Sequence, residues 1–506
     1  MDIQFGLETE MGITRADPAG LDVVAESIAL VRSVTAPGVR MRWDYSCEDP
    51  HRDARGFRVA ALRQDTDEAD YFAQDAARPL SFTEIKSDVA LRNGARFYND
   101  HAHPEYCTPE CGTLLELLQQ DRAGDRLVME CARALNEGSA NPVLLYKNNT
   151  DFAGHSYGCH ENYLLPRRLP WDTLAAAMAA FLATRQVYAG AGKYGWEEED
   201  RFVRPGFQVS QRADFFSELE SVDTMQSRPL INTRDEPHAD PARYRRFHVI
   251  VGDANLSPYA NWLKVGTTAL VLQALVNGCP LARVPQVADP VGTLRALSRD
   301  RTWRWACRDA AGRATTALEV QRGYLALVRE FCPGLGPDWQ AVAAGWEEVL
   351  GDLEREPLSC ADRLDWCAKH RCVEQFREAE GLGPEDPWLR SLDLAYHRLD
   401  REEGLFYALL DQQAFRLPYG GAELGGAALA PPLSTRAAVR GRCIEKFGPQ
   451  VEAAQWDYLR LRGRSMTLEL DLRGLFDPGQ IEEALRVIQA AREVEELAQL
   501  GFAKRR

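Results

Sequence analysis

Residues 2–12 read DIQFGLETEMG, and they alternate. Ile3, Phe5 and Leu7 point one way; Gln4, Gly6, Glu8 and Glu10 point the other. A period of two marks a half-buried strand, here with two carboxylates on its polar face about 7 Å apart along the chain. Hard cations such as Mg²⁺ take oxygen ligands, often one or two carboxylates plus substrate phosphates. A plain solvated strand face has the same spacing, and the strand alone does not choose between the two.

Outward from this strand the pattern mixes strands and helices. Asp17-Pro18-Ala19-Gly20 makes a turn before a helix within 14–40. Residues 41–90 are polar and weakly periodic, and a stretch that long is functional or disordered. Arg92–Tyr98 reads as a turn feeding a strand, 113–136 as a helix, and 142–147 (PVLLYK) as a buried strand. An Ala-rich helix is expected over 172–189 with Asp172 as N-cap. A strand follows at 246–251 and an apolar helix at 261–278. Helices dominate from about 290 to 410. Residues 419–432 look like a linker, and Asp477-Pro478 opens a final helix with Ile481, Leu485 and Ile488 on one face.

The 506 residues carry 75 acidic and 60 basic side chains, a net charge of -15. That opposes a whole-surface grip on nucleic acid or anionic membrane. No apolar run approaches the roughly 18 residues of a membrane span. The N-terminus shows neither a basic n-region nor an apolar h-region, so no signal peptide is expected. The twelve cysteines are scattered, which fits reduced thiols in a cytoplasmic protein.

Three further stretches hold chemistry. FYNDHAHPEYCTPEC (97–111) packs Asp100, His101, His103, Glu105, Glu110 and two cysteines together. It reads either as a zinc site or as functional Tyr98, Asp100 and Glu105 beside thiols that merely pack. KNNTDFAGHSYGCHENYL (147–164) is a turn-rich loop followed by His160, Glu161 and Asn162; it is neither a P-loop nor a Rossmann fingerprint. In 228–257, Arg228, Arg234, Arg243, Arg245 and Arg246 crowd together, and arginine favours bidentate phosphate or carboxylate contacts. Asp235, Glu236 and Asp240 offer the opposing reading, a salt-bridged surface. Six of the nine histidines fall between 101 and 248, beside the carboxylates. The residues alone support a phosphate-handling Mg²⁺ enzyme with its site in the first 260 residues, and do not give the reaction.

These stretches resemble the Pup ligase and Pup deamidase/depupylase family of the glutamine synthetase-like carboxylate–amine ligase superfamily. The matching segments are GLETEMG (6–12), RNGARFYNDHAHPEY (92–106), KNNTDFAGHSYGCHENYL (147–164), FLATRQV (181–187), SQRAD (210–214), INTRDEPHADPARYRRFHVIVGDANLS (231–257), LKVGTTALVL (263–272), LDLAYH (392–397) and STRAAVRGRCIEKFG (434–448) with Trp456. RWDYSCEDPHRDARGF (42–57) is similar to the deamidase/depupylase branch; Gly158-Cys159-His160-Glu161 is closer to the ligase wording.

The resemblance implies an α+β fold: a large, curved, mainly antiparallel sheet packed on helices over residues 1–432, with a loop insertion at about 42–85, and a small C-terminal domain over 433–506. It implies ATP and Mg²⁺ as cofactors and a Pup-like modifier with its conjugates as partners, in a bacterial cytoplasm, with no nucleic acid and no membrane. Glu8, Glu10, Tyr98, Glu105, His160 and His248 would line the metal site, Arg212 and Arg234 would hold phosphates, and Trp456 would meet the adenine. Asp100 matches the family's catalytic aspartate. Arg42, Trp43, Asp44, Tyr45, Arg52, Asp53 and Arg55 would belong to a regulatory loop hanging near the site, whose acids (Glu48-Asp49 and Asp65 to Asp70) compete with an acidic tail. The implied activity is hydrolysis of the isopeptide between the modifier's C-terminal Glu and a lysine, or deamidation of a C-terminal Gln. The alternative is ATP-driven ligation forming that bond. A catalytically dead scaffold and a ligase of small amino acids are the more distant readings.

Overall fold

The computed structural model describes residues 3–63, 76–195, 197, 206–425 and 429–506. Its strands in chain order begin with β1 (Phe5–Glu10), β2 (Gly12–Arg15), β3 (Gly38–Arg40), β4 (Val89–Leu91), β5 (Arg96–Asp100), β6 (His103–Cys107), β7 (Val143–Tyr146) and β8 (Cys159–Pro166). Then come β9 (Lys193–Tyr194), β10 (Phe207–Gln208), β11 (Phe216–Ser221), β12 (Arg228–Asn232), β13 (Tyr244–Gly252), β14 (Ala306–Arg308) and β15 (Ala314–Thr316). The last four are β16 (Val451–Ala454), β17 (Tyr458–Arg462), β18 (Thr467–Asp471) and β19 (Ala503–Arg505).

Nine of these form one sheet in the order β11-β12-β13-β8-β1-β6-β5-β4-β3. Every neighbouring pair is antiparallel except β11 with β12. The fold is therefore α+β with a large, mainly antiparallel sheet, as expected. β1 lies near its centre, and its alternation holds: Phe5, Leu7 and Thr9 are buried, while Gly6, Glu8 and Glu10 are half-buried. The apolar face rests on three helices. Val23–Arg32 packs on β5 and β6, Leu114–Asn136 on β1, and Pro258–Val276 on β8. Their starts follow from sequence. Thr113 and Glu116 close a capping box, and Ser257 caps a helix whose first residue is Pro258.

Several expectations need correction. Asp172 is not an N-cap. The helix runs Trp171–Thr184 after Pro170, with no side-chain cap, and Asp172 sits in its first turn, where the helix dipole favours an acid. A separate turn covers Gln186–Ala189. PVLLYK is not a fully buried strand: Val143 and Leu145 are buried, Leu144 and Tyr146 half-buried, and β7 pairs with β2 outside the large sheet. Residues 41–63 are not structureless. Arg42–Asp44 pairs through its backbone with Ala454, and Trp43 is buried. Within 419–432, a short helix covers Gly421–Gly425.

At the C-terminus, β16 to β19 form an antiparallel sheet. Ala437–Phe447 and Pro478–Ala490 are the accompanying helices, and Asp477 caps the second as expected. Ile481 and Ile488 are buried there and Leu485 packs at the edge of the same cluster. That cluster also takes in Val39, Trp43 and Ala90 from the large sheet's side. A polar clamp joins the same parts. Glu110, just after β6, accepts from Arg436 at 2.8 Å and from Arg440 at 3.1 and 2.5 Å.

Burial alone would raise the Glu110 carboxyl, but the two guanidiniums outweigh it and hold it at about 2. A depressed folded value means the stabilisation is present above the unfolded value and is lost as pH falls from about 4.5 toward 2. Glu110→Gln is expected to cost about 3 kcal/mol at pH 7, because two buried guanidiniums lose their counter-charge. The gap between wild-type and variant denaturation midpoints should close as pH falls through that window. A gap constant from pH 7 to pH 3 would contradict the clamp.

Candidate active site

Antiparallel register assembles the site on the polar face of the sheet. Glu10 on β1 stands opposite Glu105 on β6, which stands opposite Tyr98 on β5. Glu8 stands opposite His160 on β8, and Asn162, two residues on, faces His248 on β13. Two groups of donor atoms result, each within 4.8 Å: Glu8, His160 and His248, and Glu10, Asp100 and Glu105. These six residues, with Tyr98, line one cavity of about 370 Å³, a size that suits a small-molecule ligand.

In the first group, Glu8 Oε2 lies 3.2 Å from His160 Nδ1 and 3.5 Å from His248 Nε2. Asn162 donates to Glu8 Oε1 at 2.9 Å, and Arg246 approaches it at 3.6 Å. Burial would raise the Glu8 carboxyl, but His160, His248 and Arg246 together hold it well below the usual carboxylate range. Burial, then the charge of Arg246, lowers His248 to about 3, so its imidazole is neutral. Both of its ring nitrogens are buried without a hydrogen-bond partner among the described residues. A neutral, buried imidazole with unused nitrogens beside a carboxylate is what a cation site requires. Gly158 makes room for the His160 ring: a Cβ there would sit 2.2 Å from His160 Nε2.

The second group is all oxygen, which fits Mg²⁺; the two imidazoles of the first suit Mn²⁺ as well. Tyr98 donates to Glu105 Oε2 at 2.9 Å and Cys107 to Glu105 Oε1 at 3.1 Å. Burial, then the charges of Asp100, Glu8 and Glu10, pushes the Glu105 carboxyl well up. Glu10 accepts from the Gly158 backbone at 2.8 Å. Asp100 ends β5, with Lys86 Nζ 2.6 Å from its Oδ1.

Arg212, Arg228, Arg234 and Arg246 also line the cavity. Arg212 is buried, held by Ser156 Oγ at 3.0 Å and by the Ile250 carbonyl. Burial, and then Arg228, lowers it to about 10, so an anion placed beside it would be strongly favoured. Of the acids proposed to neutralise this cluster, Asp235 pairs with Arg167 and Arg52, and only Glu236 approaches Arg246, at 3.7 Å. Arg243 and Arg245 fall outside the cavity; they lie over the rings of Tyr244 and Trp171. Glu161 leaves the site altogether. Its side of β8 faces the core, where it forms a fully buried ion pair with Arg185 at 2.5 Å. The thiols take part in neither donor group, and Cys111 is a core residue donating to Pro109 at 3.3 Å.

None of the seven loop residues lines the main cavity. Instead the 42–59 stretch is strapped down at both ends. Trp43 stacks edge-on against Trp456 at 5.1 Å, Asp44 accepts from Tyr458, and Tyr45 donates to Asp88 at 2.7 Å. At the far end, Asp53 is buried, accepting from Thr233 and from Arg55, and the Arg52 carbonyl accepts from Asp235. Arg42 and Arg52 have exposed side chains. Glu48 of this stretch does reach the cavity, with Trp456. The cluster from Asp65 to Asp70 lies outside the described residues. Sequence reasoning missed Lys86 and Arg96. Arg96 lies over the rings of Tyr98 at 3.8 Å and Trp43 at 4.3 Å and pairs with Asp88 at 2.6 Å. Its place in the strand beside Tyr98, with the same parity, was the available signal.

Residues 4–460 match the family described as Pup-ligase protein. A depupylase of Acidothermus cellulolyticus is 42% identical over 470 residues, 90% of each chain. A Pup deamidase/depupylase of Mycolicibacterium smegmatis is 39% identical, again over 90% of each. A Pup–protein ligase of Pseudarthrobacter chlorophenolicus is 42% identical over 75% of this chain and 85% of its own. Among solved structures, the complex of the prokaryotic ubiquitin-like protein Pup with its ligase PafA superposes with a TM-score of 0.77 at 29% identity, covering 96% of this chain and 91% of that one. The Pup ligase PafA with ADP gives 0.72 at 31% identity, covering 86% and 95%.

Removing a donor from the first group tests the cation reading. His248→Ala and Glu8→Gln are each expected to weaken Mn²⁺ binding, read by titration with paramagnetic detection, by at least about tenfold. Arg243→Ala, outside the cavity, should leave it unchanged. Equal affinity in all four proteins would rule the group out as a ligand set.

Proposed function

The chain belongs to the Pup-ligase protein family, and on that premise we propose that it hydrolyses the isopeptide bond between the C-terminal glutamate of a Pup-like modifier and a substrate lysine. The same chemistry deamidates a modifier that ends in glutamine. The observation that carries this reading is the extent of the sequence alignment. Relatives named depupylase or Pup deamidase/depupylase align over 90% of this chain, and the ligase-named relative over 75%. Residues 1–432 act as the catalytic domain and 433–506 as a small C-terminal one. The enzyme works in the bacterial cytoplasm; among the described residues no helix is long and apolar enough to cross a membrane.

Arg212 and Arg234 would hold the phosphates of ATP and Trp456 would meet its base, beside a recess that Gly6, Asn162, His238 and Trp456 line. Glu8, His160 and His248 would hold one Mg²⁺, and Glu10 and Glu105, steadied by Tyr98, a second. When bound, the metal supplies charge neutralisation and Lewis acidity. The rest falls to the chain's own residues. Asp100 either attacks the amide carbon, giving an anhydride that water hydrolyses to restore Asp100 once the amine has left, or takes a proton from the attacking water. The C–N bond then breaks, the lysine nitrogen leaves as the amine after taking up a proton, and the modifier regains its glutamate carboxylate. Arginines facing the cavity stabilise the negative charge that gathers on oxygen. Nucleotide is a cofactor here, not a fuel.

Purified protein with Mg²⁺ and ATP should release free modifier from a Pup–lysine conjugate without stoichiometric ATP consumption. Asp100→Asn should lower that rate by about 10²- to 10⁴-fold while nucleotide binding persists. Conjugation of modifier to lysine, with ATP consumed, would move the chain to the ligase reading. An Asp100→Asn protein of wild-type rate would remove Asp100 from the mechanism.

A further inference from the structure

Among the described residues, Lys86 makes a close ion pair with Asp100 from outside the cavity lining. Its Nζ lies 2.6 Å from Asp100 Oδ1 and 5.5 Å over the Tyr98 ring, yet Lys86 does not line the cavity. The ammonium therefore holds the carboxylate without itself lining the cavity. Its support is built for that aim. Phe82–Lys86 is a single helical turn closed by a capping box of Ser81 and Glu84. Ser87 follows in the left-handed region, at φ 50, so the chain turns away directly after the lysine. Arg32 binds Ser87 Oγ at 3.0 Å and the Glu84 carbonyl at 2.9 Å, and Asn99 binds the Ile85 carbonyl at 3.1 Å. An isolated turn this short does not hold itself together, so these contacts fix where Lys86 points.

We propose that Lys86 is a positioning residue: it fixes the Asp100 carboxylate through one oxygen, leaving the other for the reaction, and offsets part of the charge that Glu10, Asp100 and Glu105 concentrate. A carboxylate that swings by about 1 Å can cost on the order of a hundredfold in rate. Like charges this close also repel unless a cation stands among them. Lys86 supplies one that is covalently tethered, and it thereby competes with any divalent ion that approaches the same three carboxylates.

Two arms test this, and only the kinetic one rests on the proposed activity. In the full chain, Lys86→Met removes the charge and keeps the length; Lys86→Arg keeps the charge. The Met variant should bind Mn²⁺ about tenfold more tightly, while the Arg variant stays near wild type. On a Pup–lysine conjugate the Met variant should lose about ten- to a hundredfold in kcat with KM little changed, and the Arg variant should recover most of the rate. Lys86→Gln replaces the Met variant should the latter melt more than a few degrees below wild type. Unchanged Mn²⁺ affinity on removing the charge would overturn the proposal, as would an unchanged kcat in an enzyme that cleaves the conjugate. Absence of cleavage by the wild type would count against the proposed activity, and the Mn²⁺ arm would still decide the role of Lys86.

Discussion

Everything in the site depends on the register of β1 between β6 and β8. Its pleat sends Phe5, Leu7 and Thr9 into the core and Glu8 and Glu10 into the cavity. A slip of one residue would exchange the two faces, burying both carboxylates against helices and exposing the apolar set. The cost of that error is what makes the register unique. The same constraint passes to each neighbour, so Glu105, Tyr98, His160 and His248 arrive on one side as consequences of strand pairing. It also sends Glu161 the other way, where its ion pair with Arg185 ties β8 to the helix that follows it in the core.

The register concentrates carboxylates where water is scarce. Four acids that approach each other so closely need partners, and the chain supplies them from several directions. Arg246 approaches Glu8, Lys86 holds Asp100, and Tyr98 with Cys107 donates to Glu105. Arg212, Arg228 and Arg234 also line the cavity. A net charge of -15 thus says little about what this chain binds. Acids and arginines line the same cavity, an arrangement that suits a cation and a phosphate side by side. Such a site is costly in stability and gains its purpose when ligands complete it.

The stretch at 42–59 and the C-terminal sheet belong to the same construction. Trp43 enters the core shared by β16 to β18, and its ring sits between Arg96 and Trp456. Asp53 and Arg52 fasten the other end to the turn after β12, which also bears Arg234. The stretch therefore spans the rim from one wall of the cavity to the other. Its polar composition, which the sequence left as functional or disordered, comes from side chains that pair with two separate parts of the fold.

How much of this was legible in the sequence follows from range. Alternation at 2–12 settled that Glu8 and Glu10 share a face, because a side-chain period of two is local. Helix starts at Asp477 and helical spacing at 113–136 were legible for the same reason, and the family motifs delivered Asp100, Glu105, His160, His248, Arg212 and Arg234 as candidates. Asp172 failed as a cap because the preceding proline set the helix start. The sequence could not give the register between strands a hundred residues apart, nor that Glu161 faces the core while His160 faces the cavity. It could not show that Arg245 turns away while Arg246 turns in, or that Lys86, in a stretch without periodicity, reaches Asp100. Those facts are differences in side-chain burial between neighbouring residues, and only the packing of strand on strand and sheet on helix decides which neighbour is buried. The sequence by itself determined the chemistry available to this protein; the tertiary structure alone decided which groups meet, since meeting depends on contacts that no local pattern encodes.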